Sequence, residues 1–245
     1  MKIENKNNTE KNNTNMENKH KFSDKVKFHP WVGDKYEYGI KGFDENGKIV
    51  YGTPDDPGKK ILVLGESHYC AELADAISEL TKIIIADLID PFSGWEPYKN
   101  TYTKFIKSLT GYTDDLEFED KKEAWEHIAF YNYVQEPMTG ARISPTTDEF
   151  KKSKEAFWEI LNELKPDLII VWGNRLYNNL PKNGKQLEDL EVFIDKDLYC
   201  SEIWSYSIPM DKGSKCIPVL YIKHPSSGYI TTFWSIVINK FIKEA

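Results

Sequence analysis

The sequence predicts an α/β fold: a three-layer α/β/α sandwich around a central, mainly parallel sheet. Short continuous apolar runs carry this reading. Ile61-Leu62-Val63-Leu64, Ile128-Ala129-Phe130 and Leu168-Ile169-Ile170-Val171-Trp172 have the unbroken hydrophobicity of strands covered on both faces. Segments with apolar residues at helical spacing lie between them. Strands that alternate with helices stack as a parallel sheet with helices on either side.

At 245 residues the chain suits one good-sized core and would be cramped as two domains. Residues 1–27 are rich in Asn and Lys and almost free of large apolar groups. Such a segment buries too little to offset its ordering entropy, so it is expected to be a disordered tail ahead of one domain at 28–245. It lacks the apolar stretch of a signal peptide, and no apolar run nears the roughly 20 residues of a membrane span. A cytoplasmic location and no membrane partner are the expectations.

The elements follow in order. Residues 41–51 read as a hairpin turning at Asn46-Gly47. The first buried strand lies near 61–64. Leu73, Ile77, Leu80 and Ile84 predict a helix over 71–86. A loop with Pro91, Gly94 and Pro97 precedes a helix over 98–109 that stops at Gly111. A short helix leads into a strand near 128–134. Thr146 and Glu149 form a capping box, and the helix they open carries Phe150, Phe157, Ile160, Leu161 and Leu164 on one face until Pro166. A strand over 168–172, a short helix over 174–180 and strands near 200–207 and 217–223 follow. Ser227 is expected to cap the last helix, which contains Ile230, Phe233, Ile236, Val237 and Phe241.

Composition narrows the function. Cys70, Cys200 and Cys216 are an odd number without C-x-x-C spacing, which argues against disulfides and a zinc ribbon. The net charge of −7 counts against an extended nucleic-acid surface, since phosphate contacts call for basic side chains.

Polar clusters end three of the apolar runs. They are Gly65-Glu66-Ser67-His68-Tyr69, Tyr131-Asn132-Tyr133-Val134 and His224-Pro225-Ser226-Ser227. In an open α/β sheet ligands bind at the carboxyl ends of the strands, so the three read as one site. Between the second and third clusters come Arg142, Pro145-Thr146, Glu149, Lys165-Pro166 and the strand ending in Gly173. The order of these motifs resembles the uracil-DNA glycosylase superfamily, closest to its branch with a GEAPG-type first motif, over roughly residues 60–240.

That resemblance implies a monomeric, monofunctional DNA glycosylase. It would flip a pyrimidine out of single- or double-stranded DNA and hydrolyse its N-glycosidic bond, with neither metal nor cofactor. His224 would donate to the oxygen of the leaving base. Glu66 would stabilise the sugar cation and position water, with His68 beside it as a further catalytic candidate. Asn132 would read the base edge, Phe92 of Pro91-Phe92-Ser93-Gly94 would stack on the base, and Tyr69 would crowd the pyrimidine C5 position. Gly65 and Gly173 would let backbone approach the ligand. Ser67, Ser226 and Ser227 would meet DNA phosphate, and Tyr229 would be the wedge.

The chain also departs from the family. Ser67 replaces the aspartate of the uracil-specific branch, His68 replaces the usual proline, and Gly228-Tyr229 replaces the wedge leucine. The cysteines that hold the GEAPG branch's iron–sulfur cluster are missing, so no cluster is expected. The altered first motif leaves room for a modified pyrimidine in place of uracil, as in defence against DNA with modified bases. Two other readings compete. One is a non-catalytic nucleic-acid or nucleotide-binding protein of the same fold. The other is a GDSL/SGNH-type serine hydrolase, with Ser67 as nucleophile, His224 as base and Asn174 in the oxyanion hole, although Tyr221 stands where that family has an Asp.

Overall fold

The computed structural model describes residues 20–70, 72–112, 116–140 and 143–245. Residues 1–19 of the expected tail and Arg142 of the middle segment lie outside them. The elements run β1 (Trp31–Val32), β2 (Ile40–Phe43), β3 (Ile49–Tyr51), β4 (Ile61–Gly65), a 3₁₀ turn (Leu73–Asp75), α1 (Leu80–Leu88), α2 (Lys99–Thr110), α3 (Phe118–Glu126) and β5 (Ile128–Asn132). Then come α4 (Thr147–Lys152), α5 (Lys154–Leu164), β6 (Leu168–Trp172), α6 (Asn174–Asn179), β7 (Lys185–Gln186), β8 (Leu190–Ile194), β9 (Asp197–Ser201), β10 (Ile203–Pro209), β11 (Ser214–Ile222) and α7 (Thr231–Glu244).

The central sheet has the order β1-β5-β4-β6-β11-β10-β7. The pairs β5–β4, β4–β6 and β6–β11 are parallel, while β1, β10 and β7 add antiparallel edges. β4, β5 and β6 are buried at every residue. Alternate side chains serve opposite faces. Ile61, Val63, Phe130, Ile170 and Trp172 pack with α1, α2, α3 and α7. Leu62, Leu64, Tyr131, Ile169 and Val171 pack with α5, Phe150 of α4 and Leu176 of α6. The α/β layering expected from the alternating runs is present.

The topology places the site. From β4 the chain moves to β5 on one side, then returns past β4 to β6 and β11 on the other. The switch point lies between β4 and β6, and the carboxyl ends of strands at such a point are where open α/β sheets form a ligand crevice.

Several local expectations hold. The hairpin turns at Gly47 (φ +73°), the capping box forms at Thr146 and Glu149, and Gly111 closes α2 in the left-handed conformation. Others need correction. The helix expected over 71–86 is a 3₁₀ turn followed by α1. The Asp75 carboxylate takes the Glu72 N–H, and the Ser78 carbonyl is held by the His29 N–H (2.8 Å), so this backbone is committed elsewhere. Ser227 does not cap α7: its N–H closes a turn onto the His224 carbonyl (3.0 Å), and the helix starts four residues later without a side-chain cap.

Residues 20–27, placed in the tail by composition, pack as a strap on α5. His20 meets Glu163 (3.0 Å), Ser23 Oγ donates to Glu159 (2.6 Å), Lys25 pairs with Glu155 (2.8 Å), and Val26 is buried. The three glutamates sit four residues apart on one helix face, and this acidic stripe supplies what the apolar count could not.

Candidate active site

The clusters after β4 and β5 are joined by backbone. Tyr133 N–H donates to the Gly65 carbonyl (3.0 Å), Val134 N–H to Glu66 (2.8 Å) and Met138 N–H to His68 (2.8 Å), and Cys70 N–H returns to Met138 (2.9 Å). The parallel pairing of β4 and β5 thus continues past the strands and forms one wall of the crevice.

Glu66 sits just beyond β4, and its partner comes from across the switch point. Arg175, three residues past β6 in the first turn of α6, grips the carboxylate with two nitrogens: Nε lies 2.7 Å from Oε2, and Nη2 bonds Oε1. Arg175 Nη1 also bonds Ser144 Oγ. The Glu66 side chain is 11% exposed and that of Arg175 49%. The sequence reading missed Arg175. Its signal was positional, a cation two residues after the glycine that follows a buried parallel strand. Tyr69 stands half exposed within electrostatic reach of this pair, its hydroxyl pushed up chiefly by burial and then by Glu66.

His224 follows β11. Its Nδ1 accepts the Ser226 backbone N–H (3.2 Å) and lies 2.8 Å from Ser226 Oγ. An Nδ1 that accepts leaves the proton of a neutral imidazole on Nε2. Burial lowers the pKa of the ring, with Glu66 opposing and Arg175 assisting, so His224 is a neutral Nε2–H donor at pH 7. The edge of Trp172 packs on it (6.0 Å, 83°). Gly173 adopts φ +93°, so the chain leaves β6 in a conformation that disfavours a side chain.

Asn132 and His68 form a buried pair rather than a reactive one. Asn132 Nδ2 lies 3.1 and 3.3 Å from the two ring nitrogens of His68, whose Nε2 also meets Thr81 Oγ1 (2.8 Å). His68 is 2% exposed and packs against Phe28 (4.7 Å). Burial lowers its pKa to about 4. The catalytic assignment for His68 is therefore corrected: it holds Asn132 in place from behind. Gly65 is required here for a different reason than ligand approach, because a Cβ on it would fall 2.2 Å from Asn132 Oδ1.

The remaining candidates divide. Ser226 and Ser227 are exposed beside His224. Ser67 Oγ is buried without a hydrogen-bond partner among the described residues, as is Trp172 Nε1. Ser67 thus lacks the contact to His224 that a serine nucleophile needs, while Asn174 Oδ1 accepts from Asn178 Nδ2 (3.1 Å). Phe92 is 94% exposed and stacks on no ring among the described residues. Its loop is pinned by Asp87, which accepts from Ser93, Tyr98 and Lys99 and is held down at about 2 by those bonds, Lys99 foremost. Inside that loop a cavity of about 250 Å³, lined in part by Pro91, Trp95, Tyr102 and Trp125, contains none of the strand-end residues. Tyr229 is no wedge: it is buried and stacked on Trp234 (6.1 Å, 15°).

No helix among the described residues is long and apolar enough to cross a membrane. No group of three His, Cys, Asp or Glu among them could hold a metal ion. Compared with models of known protein families the chain matches none, and it matches none of the curated proteins.

Proposed function

We propose that the crevice hydrolyses the N-glycosidic bond of a pyrimidine nucleotide in DNA, as the motif resemblance to uracil-DNA glycosylases implies. The observation that carries the reading is the state of His224. It is neutral, its Nδ1 is satisfied by Ser226, and its Nε2–H is left to donate at the end of a parallel strand. Such a donor suits an oxyanion that develops as a base departs. In the proposed reaction the C1′–N bond breaks and its electron pair moves onto the base, where His224 stabilises it. Water adds to C1′ and gives up its proton, the base gains one, and an abasic site remains. Glu66 stabilises the sugar cation and receives the water proton.

One observation favours the second reading, a binding protein of the same fold: Arg175 neutralises Glu66 in the unliganded site. An assay of abasic-site formation on oligonucleotides carrying uracil or modified cytosines separates the two. Alkali-labile cleavage by the wild-type protein, lost in His224→Ala, supports hydrolysis. Retained DNA binding with no cleavage on any substrate supports the binding protein.

A further inference from the structure

We propose that Arg175 is a latch on Glu66 that the substrate itself opens, and that the group which opens it is a phosphate, so the site takes nucleotides and not free nucleosides. This rests on the glycosidase reading of the crevice.

The geometry has three parts. The guanidinium bridges the switch point and engages all three of its nitrogens, two on Glu66 and one on Ser144. A guanidinium has five N–H groups, so it keeps donors to offer while still bound. Exposure is unequal: the arginine side chain is 49% exposed and the glutamate 11%. A ligand entering from solvent meets the cation first and the carboxylate behind it. Finally, the chain uses thirty lysines and two arginines, and one of those arginines stands here. Arginine's planar fork matches the oxygens of a phosphate as it does those of a carboxylate, whereas lysine offers a point charge.

The chemistry favours a latch that moves. A carboxylate paired with a guanidinium is a weaker base and a weaker partner for a developing cation than a bare one. Baring it with no ligand present would leave a largely buried charge unpaired. A phosphate that draws Arg175 away supplies the countercharge for the arginine at the moment Glu66 is released toward the sugar. The arginine then holds the substrate's backbone, and the carboxylate acts only when a nucleotide is in place.

Arginine Nε–H NMR tests this, because the chain has two arginines and Arg175→Lys assigns the signal. The probes are a trinucleotide with a non-hydrolysable 2′-fluoro central pyrimidine, the matching nucleoside, and inorganic phosphate. The trinucleotide and phosphate should shift the Arg175 signal and the nucleoside should not. Glu66→Gln should bind phosphate about tenfold tighter than wild type, since the competing carboxylate is gone, and Arg175→Gln should lose that binding. An Arg175 signal that stays put on saturation with trinucleotide, or weaker phosphate binding in Glu66→Gln, overturns the latch. These readouts need no turnover. Absence of abasic-site formation alongside a moving Arg175 signal removes the glycosidase reading and leaves the anion latch standing.

Discussion

The amide of Asn132 occupies the space a side chain on Gly65 would need. A Cβ at Gly65 would sit 2.2 Å from Asn132 Oδ1 and 2.7 Å from Phe130 Cζ. The glycine of the first cluster is thus set by the asparagine of the second. Gly65→Ala should lower stability by about 1–3 kcal/mol through overpacking. Gly65→Ala/Asn132→Ala should recover part of that loss, and chemical denaturation of both variants measures the coupling.

His68 makes stability depend on acid. Its folded pKa is about 4 against 6.5 for the free side chain, because burial disfavours the charged ring. Between those values the unfolded chain binds a proton that the folded protein does not. The contribution is whole above pH 6.5 and is lost as pH falls toward 4, about 3 kcal/mol in total. His127 and His224, also lowered by burial, act in the same direction. Urea unfolding of wild type should show this decline, and His68→Gln should flatten it.

His224→Ala should reduce abasic-site formation by about 10²–10³ with little change in melting temperature, since the ring is only partly buried. Ser226→Ala keeps the backbone N–H that holds Nδ1 and should cost less than about tenfold in rate. Single-turnover kinetics on the preferred oligonucleotide compare the two.

Phe92→Ala removes a ring that contacts solvent. Stability should stay within about 0.5 kcal/mol of wild type. If the ring stacks on a base when DNA is bound, affinity for single-stranded oligonucleotide should fall about tenfold or more. Fluorescence anisotropy reads the second number, and an unchanged affinity would remove Phe92 from the site.

The strap is part of the folded domain. A chain starting at residue 28 loses Val26 from the core and the Ser23 and Lys25 contacts to α5. Relative to a chain starting at residue 20, its melting temperature should fall by about 3–12 °C.

The parallel core was legible because runs such as Leu168–Trp172 are apolar at every position. The hairpin of β8 and β9 was not. Its turn is Asp195-Lys196, with Asp195 at φ +57°, and no glycine marks it. Within the crevice, the residues that directly follow strands were found and their partners were not. Arg175 reaches Glu66 from α6, Ser144 reaches Arg175 from the loop before α4, and Thr81 reaches His68 from α1. Pairings between distant segments leave no periodic trace. The roles of Tyr229 and His68 failed for a related reason: a motif gives a residue's position along the chain, while burial depends on what later packs over it.

The backbone ladder that joins residues 65–70 to 132–138 bears on how this crevice can change. Its hydrogen bonds run between main-chain groups, so the side chains of Glu66, Ser67 and Tyr69 can be exchanged without loosening the wall that carries them. Gly65 and His68 are tied to Asn132 and cannot. The side chains of Glu66, Ser67 and Tyr69 are therefore free to drift on a backbone scaffold that stays fixed, while Gly65, His68 and Asn132 can change only together.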